Sequence, residues 1–328
     1  MNILRKTIGA ATLSASLLMS TQAVIAADKW DMALAYSASN YHSQIAAEFA
    51  AEVTSKTSGE LEIVTHPGGS LFGGSEIFGA VRRGLTPIGE RLISALSNDD
   101  PLYEIDSVPF LATSFEDARK LYKASKPELI KKLDASGLVF LYSAPWPPQG
   151  FYSIKEAKTP EDIKGLKFRA YNATTSKVAD MLGMVPTKIE AAELSQAFAT
   201  GVAQSMISSG STGYDRKLWE HVGFFYDVRA WLPRNMVIVN KKAWNRLDKE
   251  VQDVILAAAT TAENKGWSKA EELADWYLEE FKKNGMSVKT MTPEMRKAFE
   301  DVGAKLRDEW LAKIGDSGDK ILSSYKGQ

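Results

Sequence analysis

Arg169 is the side chain whose type and position most clearly suggest ligand chemistry. It ends a predicted strand at residues 164–169 and is followed by a polar turn and the N-terminus of a predicted helix. Folds of the α/β class place anion sites at such strand ends, and a guanidinium can hold a carboxylate through two parallel hydrogen bonds. A lone arginine is more often part of a surface salt bridge, so other residues must decide between the two interpretations.

Two tryptophans stand beside proline-stiffened loops. Trp146 precedes two consecutive prolines, and Trp231 lies two residues before another proline. Loops on a rigid scaffold often carry ligand contacts, whereas large aromatic side chains are also common core residues. The pattern is equally compatible with both roles.

Patterns typical of enzymes are weak. The chain has no Cys, which excludes thiol nucleophiles and Cys-ligated metal sites. No G-x-S-x-G motif accompanies the serines around Gly210, and nothing in the sequence places His66 or His221 beside one of them. Glu90 and the acidic pair at 99–100 give no information on the carboxylate separation that a glycosidase requires. A secreted hydrolase is therefore an alternative, but not the favoured one.

No cofactor or metal site is predicted. The glycine-rich segment 68–74 lacks the Lys-Ser/Thr of a P-loop and the spacing of a dinucleotide fingerprint, so it is interpreted as a flexible turn. The chain has only 3 His, which leaves little for a metal site. One of them, His42, lies in the first predicted helix, where we expect it to face solvent or to cap the helix.

The first 26 residues have the organisation of a secretory signal peptide. Arg5 and Lys6 precede a short apolar stretch at residues 8–19, and Val24 and Ala26 would occupy positions −3 and −1 of the cleavage site. The apolar stretch is well short of the roughly 20 residues that span a bilayer. We therefore expect removal of residues 1–26 and a mature protein in the periplasm.

The charge balance excludes an obvious polyanion partner. The 328 residues include 40 Lys and Arg against 41 Asp and Glu, and loss of Arg5 and Lys6 with the signal peptide changes the formal charge from −1 to −3. Nucleic-acid binders usually carry a basic excess, so no nucleic-acid partner is expected. A mature chain of about 300 residues can also bury enough core without disulfides.

The elements around Arg169 alternate between strands and helices. The patterns before residue 201 fall at 30–36 (strand), 40–58 (helix), 61–65 (strand), 74–83 (helix), 137–142 (strand), 164–169 (strand), 174–182 (helix), 185–189 (strand) and 191–200 (helix). This alternation indicates an α/β fold, and the length suggests about two domains. One or two long helices are predicted at 248–284, and another at 293–314.

A longer motif surrounds Arg169 and is one of several in a fixed order. The motifs are V-P-F-L at 108–111, K-T-P-E-D-I-K-G-L-K-F-R at 158–169, G-M-V-P at 183–186, A-E-L-S-Q-A-F-A-T-G-V-A-Q at 192–204 and N-K-K-A-W at 240–244. With them, nearly all of the mature chain resembles the DctP-type solute-binding proteins of tripartite ATP-independent periplasmic (TRAP) transporters.

The resemblance implies an α/β fold of two lobes that close around a small organic anion. Crossing strands and a long C-terminal helix would join the lobes. Residues 27–150 would form mainly lobe 1, residues 151–240 mainly lobe 2, and residues 241–328 a helical region packed on both. The resemblance also implies a monomeric binding protein, not an enzyme, that works with the small and large subunits of a membrane permease.

In this family the arginine at the position of Arg169 pairs with the ligand carboxylate, and we expect the same role here. Two positions depart from many members. Tyr152 stands where they have a second arginine in a G-x-R element, and Ser208 stands where they have an asparagine. Glu90 aligns with an acidic pocket residue of sialic-acid binders, and Arg91 follows it. The pocket should therefore hold fewer fixed charges and more hydroxyls.

The expected ligand contacts combine one anchor with aromatic and hydroxyl groups. The full set is Arg169, Tyr152, Trp146, Ser208, Ser209, Glu90, Arg91, Tyr36 and Trp231. An aromatic wall with nearby hydroxyls favours a monocarboxylate with an apolar or aromatic body over a dicarboxylate or a sialic acid. A sugar acid, or service to a sensor or an ABC importer, stays open as an alternative.

Overall fold

Two β-sheets, one in each lobe, organise the protein. The computed structural model describes residues 28–327, so the predicted signal peptide lies outside the described residues. The strands in that range are β1 (Asp28–Ala33), β2 (Leu61–His66), β3 (Ile88–Leu92), β4 (Leu138–Pro145), β5 (Gln149–Ser153), β6 (Lys167–Ala170), β7 (Val185–Lys188), β8 (Ser205–Ser209), β9 (Phe224–Tyr226), β10 (Arg234–Asn240) and β11 (Ser287–Lys289).

Helices alternate with these strands and dominate the last third of the chain. The α-helices of residues 28–327 are α1 (Tyr41–Lys56), α2 (Ile77–Arg83), α3 (Phe115–Ala135), α4 (Pro160–Ile163), α5 (Ala173–Met181), α6 (Leu194–Ala199), α7 (Gly210–Asp215), α8 (Lys241–Trp244), α9 (Lys249–Lys283), α10 (Pro293–Ile314) and α11 (Asp316–Lys326). The prediction for α10 is confirmed at both ends, because Thr292 caps the helix before Pro293 and Gly315 follows it.

The sheet of lobe 1 has the strand order β2-β1-β3-β10-β4, and that of lobe 2 has the order β11-β9-β5-β8-β6-β7. In lobe 1, β1 is parallel to β2 and β3, whereas β10 is antiparallel to β3 and β4. The chain crosses from lobe 1 to lobe 2 at 146–148, between β4 and β5, and returns to lobe 1 at 227–233, between β9 and β10. Because β10 returns to lobe 1, we propose lobe boundaries near residues 148 and 233 in place of 150 and 240.

Each lobe has its own hydrophobic core. In lobe 1, Phe49 and Val53 of α1 pack against the sheet. In lobe 2, Phe168 of β6 packs with Phe299 of α10. Ile321 of α11 packs in a cluster with α3, so the end of the chain lies against lobe 1. The C-terminal helices therefore contact both lobes.

Helix α9 links the two lobes. Its 35 residues form one continuous helix, about 52 Å long at 1.5 Å per residue. Val251 and Ile255 lie in the core of lobe 1, and Phe281 near its other end lies in a core cluster of lobe 2. The predicted two-lobed α/β fold with a long C-terminal helix is thereby confirmed. Between residues 28 and 327, none of the helices is both long and apolar enough to cross a bilayer.

Candidate functional site

A cavity lies between the two lobes, and about 450 Å³ of space free of protein atoms, including its opening to solvent, belongs to it. Lobe 1, the crossing segments and lobe 2 all contribute to the lining, which consists of Tyr36, Arg91, Leu92, Ala95, Trp146, Gln149, Arg169, Tyr171, Glu190, Ala191, Ser208, Ser209, Thr212 and Pro233.

Arg169 points its guanidinium into this cavity from the end of β6. Its side chain is 3% exposed, and its Nε donates a hydrogen bond to the Ile189 carbonyl at 2.8 Å. The guanidinium also lies 5.4 Å from the centre of the Tyr171 ring. Within residues 28–327 its terminal nitrogens make no hydrogen bond and no ion pair, so they are available to a ligand.

Burial shifts the protonation equilibrium of Arg169 but leaves the side chain charged. Desolvation lowers the pKa of Arg169 to about 10, so the group still carries its positive charge at neutral pH. A buried charge without an anion is costly, because the low-dielectric surroundings replace its hydration incompletely. The site is therefore prepared for a ligand that brings one negative charge.

The local sequence holds Arg169 in place. Asn172 caps α5 by accepting a hydrogen bond from the Thr175 amide at 2.8 Å, and this cap ends the strand directly after Ala170. The Nδ2 of Asn172 also donates to Ser94 Oγ of lobe 1 at 3.0 Å. The turn that follows the anchor is thus tied to both lobes.

Arg91 and Glu190 form an ion pair across the cleft. Arg91 comes from β3 in lobe 1, Glu190 follows β7 in lobe 2, and their closest nitrogen and oxygen are 3.6 Å apart. Within the described residues, Nε of Arg91 and Oε1 of Glu190 are buried without a hydrogen-bond partner. Gly74 makes room for the pair, because a Cβ there would lie 2.9 Å from Glu190 Oε2 and 3.1 Å from Arg91 Nη1.

Tyr36 and Trp146 form an aromatic wall of the cavity. Their ring centres are 4.7 Å apart, with planes inclined by 67°. The Nε1 of Trp146 donates to Asn235 Oδ1 at 2.8 Å, and the amide nitrogen of Asn235 donates in turn to Glu90. The orientation of this wall is therefore set by a hydrogen-bonded chain behind it.

Glu90 belongs to that supporting chain and does not line the cavity. Its carboxyl group is buried, and desolvation raises the pKa of Glu90 to about 7. The ring of His42 lies 3.7 Å away and 4.1 Å from the centre of the Trp146 ring. Burial lowers the pKa of His42 to about 3, so this ring is neutral at physiological pH.

The expectation that His42 faces solvent or caps the helix is wrong. The residue is 1% exposed, because its position on α1 turns the ring inward against Tyr41 and Trp146. The cap of α1 is Asn40, whose side-chain oxygen accepts from the His42 backbone amide at 2.9 Å.

Hydroxyl groups line the side of the cavity that belongs to lobe 2. Ser208 and Ser209 end β8, and Ser209 Oγ caps α7 by accepting from the Thr212 amide at 3.2 Å. Tyr152 lies behind them with 0% exposure, and its hydroxyl donates to the Ser209 carbonyl at 2.7 Å. Trp231 is likewise behind the lining, where its Nε1 donates to the Tyr171 hydroxyl at 2.8 Å.

The structure brings six of the nine predicted residues to the cavity surface. They are Tyr36, Arg91, Trp146, Arg169, Ser208 and Ser209. The other three lie behind that surface. Tyr152 and Trp231 are hydrogen-bonded to the lining residues Ser209 and Tyr171, respectively. Glu90 is hydrogen-bonded to Asn235, which in turn holds Trp146.

Sequence analysis missed several lining residues, of which the polar ones are Gln149, Tyr171, Glu190 and Thr212. A signal existed for Tyr171, because it lies in the polar turn directly after the strand that carries the candidate Arg169. Gln149 directly follows the prolines beside Trp146. Glu190 had no comparable signal.

Side chains of the two lobes also contact each other next to the cavity. Asn40 of lobe 1 donates to Ser211 Oγ of lobe 2 at 3.2 Å, and Thr174 Oγ1 of lobe 2 donates to Glu104 of lobe 1 at 2.6 Å. With Arg91 and Glu190, these contacts define a closed arrangement of the lobes. Among residues 28–327, no three His, Asp or Glu side chains are grouped so that they could hold a metal ion.

Comparisons with known proteins extend these observations. The profile of the DctP family, described as bacterial extracellular solute-binding protein, family 7, matches residues 33–313. A solved TRAP solute-binding protein from an unidentified marine microbe, specific for pyroglutamate and crystallised with co-purified pyroglutamate, is 49% identical; the match covers 92% of this chain and 99% of that chain, with a TM-score of 0.91.

Two further relatives have named ligands. The extracytoplasmic solute receptor DctP6 of Bordetella pertussis, which binds pyroglutamic acid, is 44% identical, covers 92% of this chain and 100% of its own, and has a TM-score of 0.89. The 2,3-diketo-L-gulonate-binding periplasmic protein of Escherichia coli is 24% identical over 273 residues, which is 81% of this chain and 82% of that protein. This chain therefore belongs to the DctP family and is a TRAP solute-binding protein.

Proposed function

We propose that this protein captures a monocarboxylate with a compact cyclic body, and that pyroglutamate is its ligand. The observation that carries the proposal is Arg169, a buried arginine whose terminal nitrogens have no partner among the described residues and face a cavity between two closed lobes. A ligand carboxylate supplies the charge and the two acceptors that this guanidinium lacks.

The ligand body fits the remaining lining. The ring lies against Tyr36 and Trp146, which supply apolar surface. Its amide N–H has an acceptor in the carboxylate of Glu190, which lines the cavity. Its ring carbonyl has donors in the hydroxyls of Ser208 and Thr212.

The two pyroglutamate binders support this choice over other acids. Their similarity of 44% and 49% extends over 92% of this chain, so it includes both lobes that line the cavity. The sugar-acid binders that share the fold are less similar, such as the L-gulonate-bound protein of Haemophilus influenzae at 19% identity.

Transport then follows from closure without chemistry. The open protein exposes Arg169, and the ligand favours the closed state because it adds contacts from both lobes at once. Closure removes water from the cavity and strengthens the pair between guanidinium and carboxylate. The closed protein works in the periplasm and passes its ligand to the small and large permease subunits.

A binding panel tests the proposal. The protein is unfolded and refolded to remove any co-purified ligand, and its Tm is then measured with pyroglutamate, 2-pyrrolidinone, benzoate, glutarate and D-glucuronate. At a concentration of 100 Kd, binding adds about 2.7 kcal/mol of stability, which raises the Tm by roughly 4 °C. We expect the largest shift with pyroglutamate and none with 2-pyrrolidinone, which lacks the carboxylate.

Two outcomes would reject the ligand assignment. An equal shift with 2-pyrrolidinone would show that no carboxylate anchor operates. A larger shift with D-glucuronate or with benzoate would replace pyroglutamate with a sugar acid or with an aromatic acid.

A further inference from the structure

We infer that Glu190 sets the charge class of the ligand. By pairing with Arg91 across the cleft, it leaves one uncompensated positive charge in the cavity and so selects monocarboxylates against dicarboxylates. The inference rests on the proposed function, because it assumes that an organic acid binds at Arg169.

The first step is the charge count of the lining. Only three of the residues around the cavity carry a formal charge, namely Arg91, Arg169 and Glu190. Arg91 and Glu190 approach to 3.6 Å, whereas Arg169 has no carboxylate within ion-pair distance among residues 28–327. The cavity therefore has a formal charge of +1, which one carboxylate neutralises.

The groups behind the lining do not alter this count. Glu90 sits behind Trp146 as a hydrogen-bonded acceptor of Asn235, outside the lining. Asp215 and Arg216 line an adjacent smaller cavity, where their opposite formal charges cancel. The balance that a ligand meets is thus decided by the three charged lining residues.

The second step is the origin of the pair. Because Arg91 belongs to lobe 1 and Glu190 to lobe 2, Glu190 neutralises the charge of Arg91 only when the lobes close. A dicarboxylate could use both arginines in the open protein. On closure its second carboxylate would compete with Glu190 for Arg91 and would face a like charge in a cavity that excludes water.

The third step is the fit of the pair. A Cβ at Gly74 would lie 2.9 Å from Glu190 Oε2 and 3.1 Å from Arg91 Nη1, so the backbone of lobe 1 packs directly against the pair. Oε1 of Glu190 and Nε of Arg91 have no other hydrogen-bond partner within residues 28–327. Removal of the Glu190 charge would leave Arg91 as a second anion anchor.

The test is a charge cycle measured by calorimetric titration with two five-carbon ligands, pyroglutamate and glutarate. The variants are Glu190→Gln, Arg91→Gln and the double variant, which have lining charges of +2, 0 and +1. Glu220→Gln is the matched control, since Glu220 is an exposed acid of lobe 2 outside the lining. Circular dichroism and Tm verify that each variant is folded.

At an effective dielectric constant near 20, a unit charge about 8 Å from the second carboxylate of a ligand changes its affinity by at least about tenfold. We therefore expect Glu190→Gln to shift the ratio of glutarate to pyroglutamate affinity by at least about tenfold toward glutarate. Arg91→Gln should weaken pyroglutamate binding by a similar factor. The double variant should recover most of that loss, because its lining charge is again +1, although both charges of the pair are absent. Glu220→Gln should leave both affinities within threefold of wild type.

The outcomes separate this inference from the proposed function. If wild type binds pyroglutamate but Glu190→Gln keeps the wild-type ratio, the role of Glu190 is refuted while the proposed function stands. If Glu190→Gln does not fold, Arg91→Gln decides, because unchanged pyroglutamate binding in that variant also refutes the inference. If wild type binds neither ligand, the proposed function is refuted, and the inference that rests on it is refuted as well.

Discussion

Replacement of Arg169 by methionine should strongly weaken ligand binding and at the same time stabilise the closed arrangement of the lobes without ligand. Methionine resembles the aliphatic part of arginine in volume but has no charge and no donor. With the lobes closed and no ligand bound, the buried guanidinium has one hydrogen bond, to the Ile189 carbonyl, and no anion among the described residues. The substitution therefore removes an uncompensated buried charge before any ligand is present.

The size of both effects can be estimated. Burial lowers the pKa of Arg169 to about 10, which corresponds to roughly 3 kcal/mol against the charged form. Loss of the bond to Ile189 costs about 1 kcal/mol, so the closed, ligand-free protein should gain about 2 kcal/mol of stability, or up to roughly 3 °C in Tm. The bound state loses a buried ion pair worth about 3–5 kcal/mol, so Kd should rise on the order of 10² to 10³-fold.

Calorimetric titration with pyroglutamate and differential scanning calorimetry of the same refolded samples measure the two effects. Lys167→Met is the control, because Lys167 is an exposed cation on the same strand. Its Kd should stay within threefold of wild type and its Tm within about 2 °C. A folded Arg169→Met protein that binds pyroglutamate within tenfold of wild type would refute the anchor, and a lower ligand-free Tm would refute the energetic argument.

Three further substitutions test the surrounding structure. Tyr152→Phe removes the donor to the Ser209 carbonyl. Urea unfolding should show a loss of about 1 kcal/mol, with less than a threefold change in ligand affinity, and a tenfold loss of affinity would show that Tyr152 contacts the ligand. Burial raises the pKa of Glu90 from 4.5 to about 7, so the folded protein binds this proton more tightly than the unfolded chain does. The free energy of unfolding of wild type therefore falls as pH rises from 4.5 to about 7. Relative to wild type, Glu90→Gln should therefore gain roughly 3 kcal/mol between pH 4.5 and pH 7, and a constant difference would contradict the assignment. Thr174→Val removes a bond between the lobes, to Glu104, and should weaken ligand binding about three- to tenfold in calorimetry. Unchanged affinity would show that this contact does not contribute to closure.

Elements with a clear period or clear boundaries could be predicted from the sequence. Helix α9 lies in a segment without proline, and α10 begins at Pro293 after a threonine cap. Strand β8 was not predicted, because all five of its residues are buried and its sequence shows no alternation of polar and apolar side chains. Helix α3 was not predicted; it contains Pro127 in its interior, which local rules treat as a helix end.

The candidate site divides in the same way between local and tertiary signals. The position of Arg169 at a strand end is a local property, and it could be predicted. Tyr152 could not be placed, because all five residues of β5 are buried and no polar face marks the side toward the cavity. The proximity of Arg91 and Glu190 depends on the closure of two lobes, which no local pattern describes.

A crystal structure of the protein with pyroglutamate tests the central claim most directly. We predict one ligand molecule in the cavity between the lobes, with its carboxylate oxygens within about 3 Å of the two terminal nitrogens of Arg169 and its ring against Tyr36 and Trp146. A ligand bound elsewhere, or bound in this cavity with its carboxylate turned away from Arg169, would contradict the account.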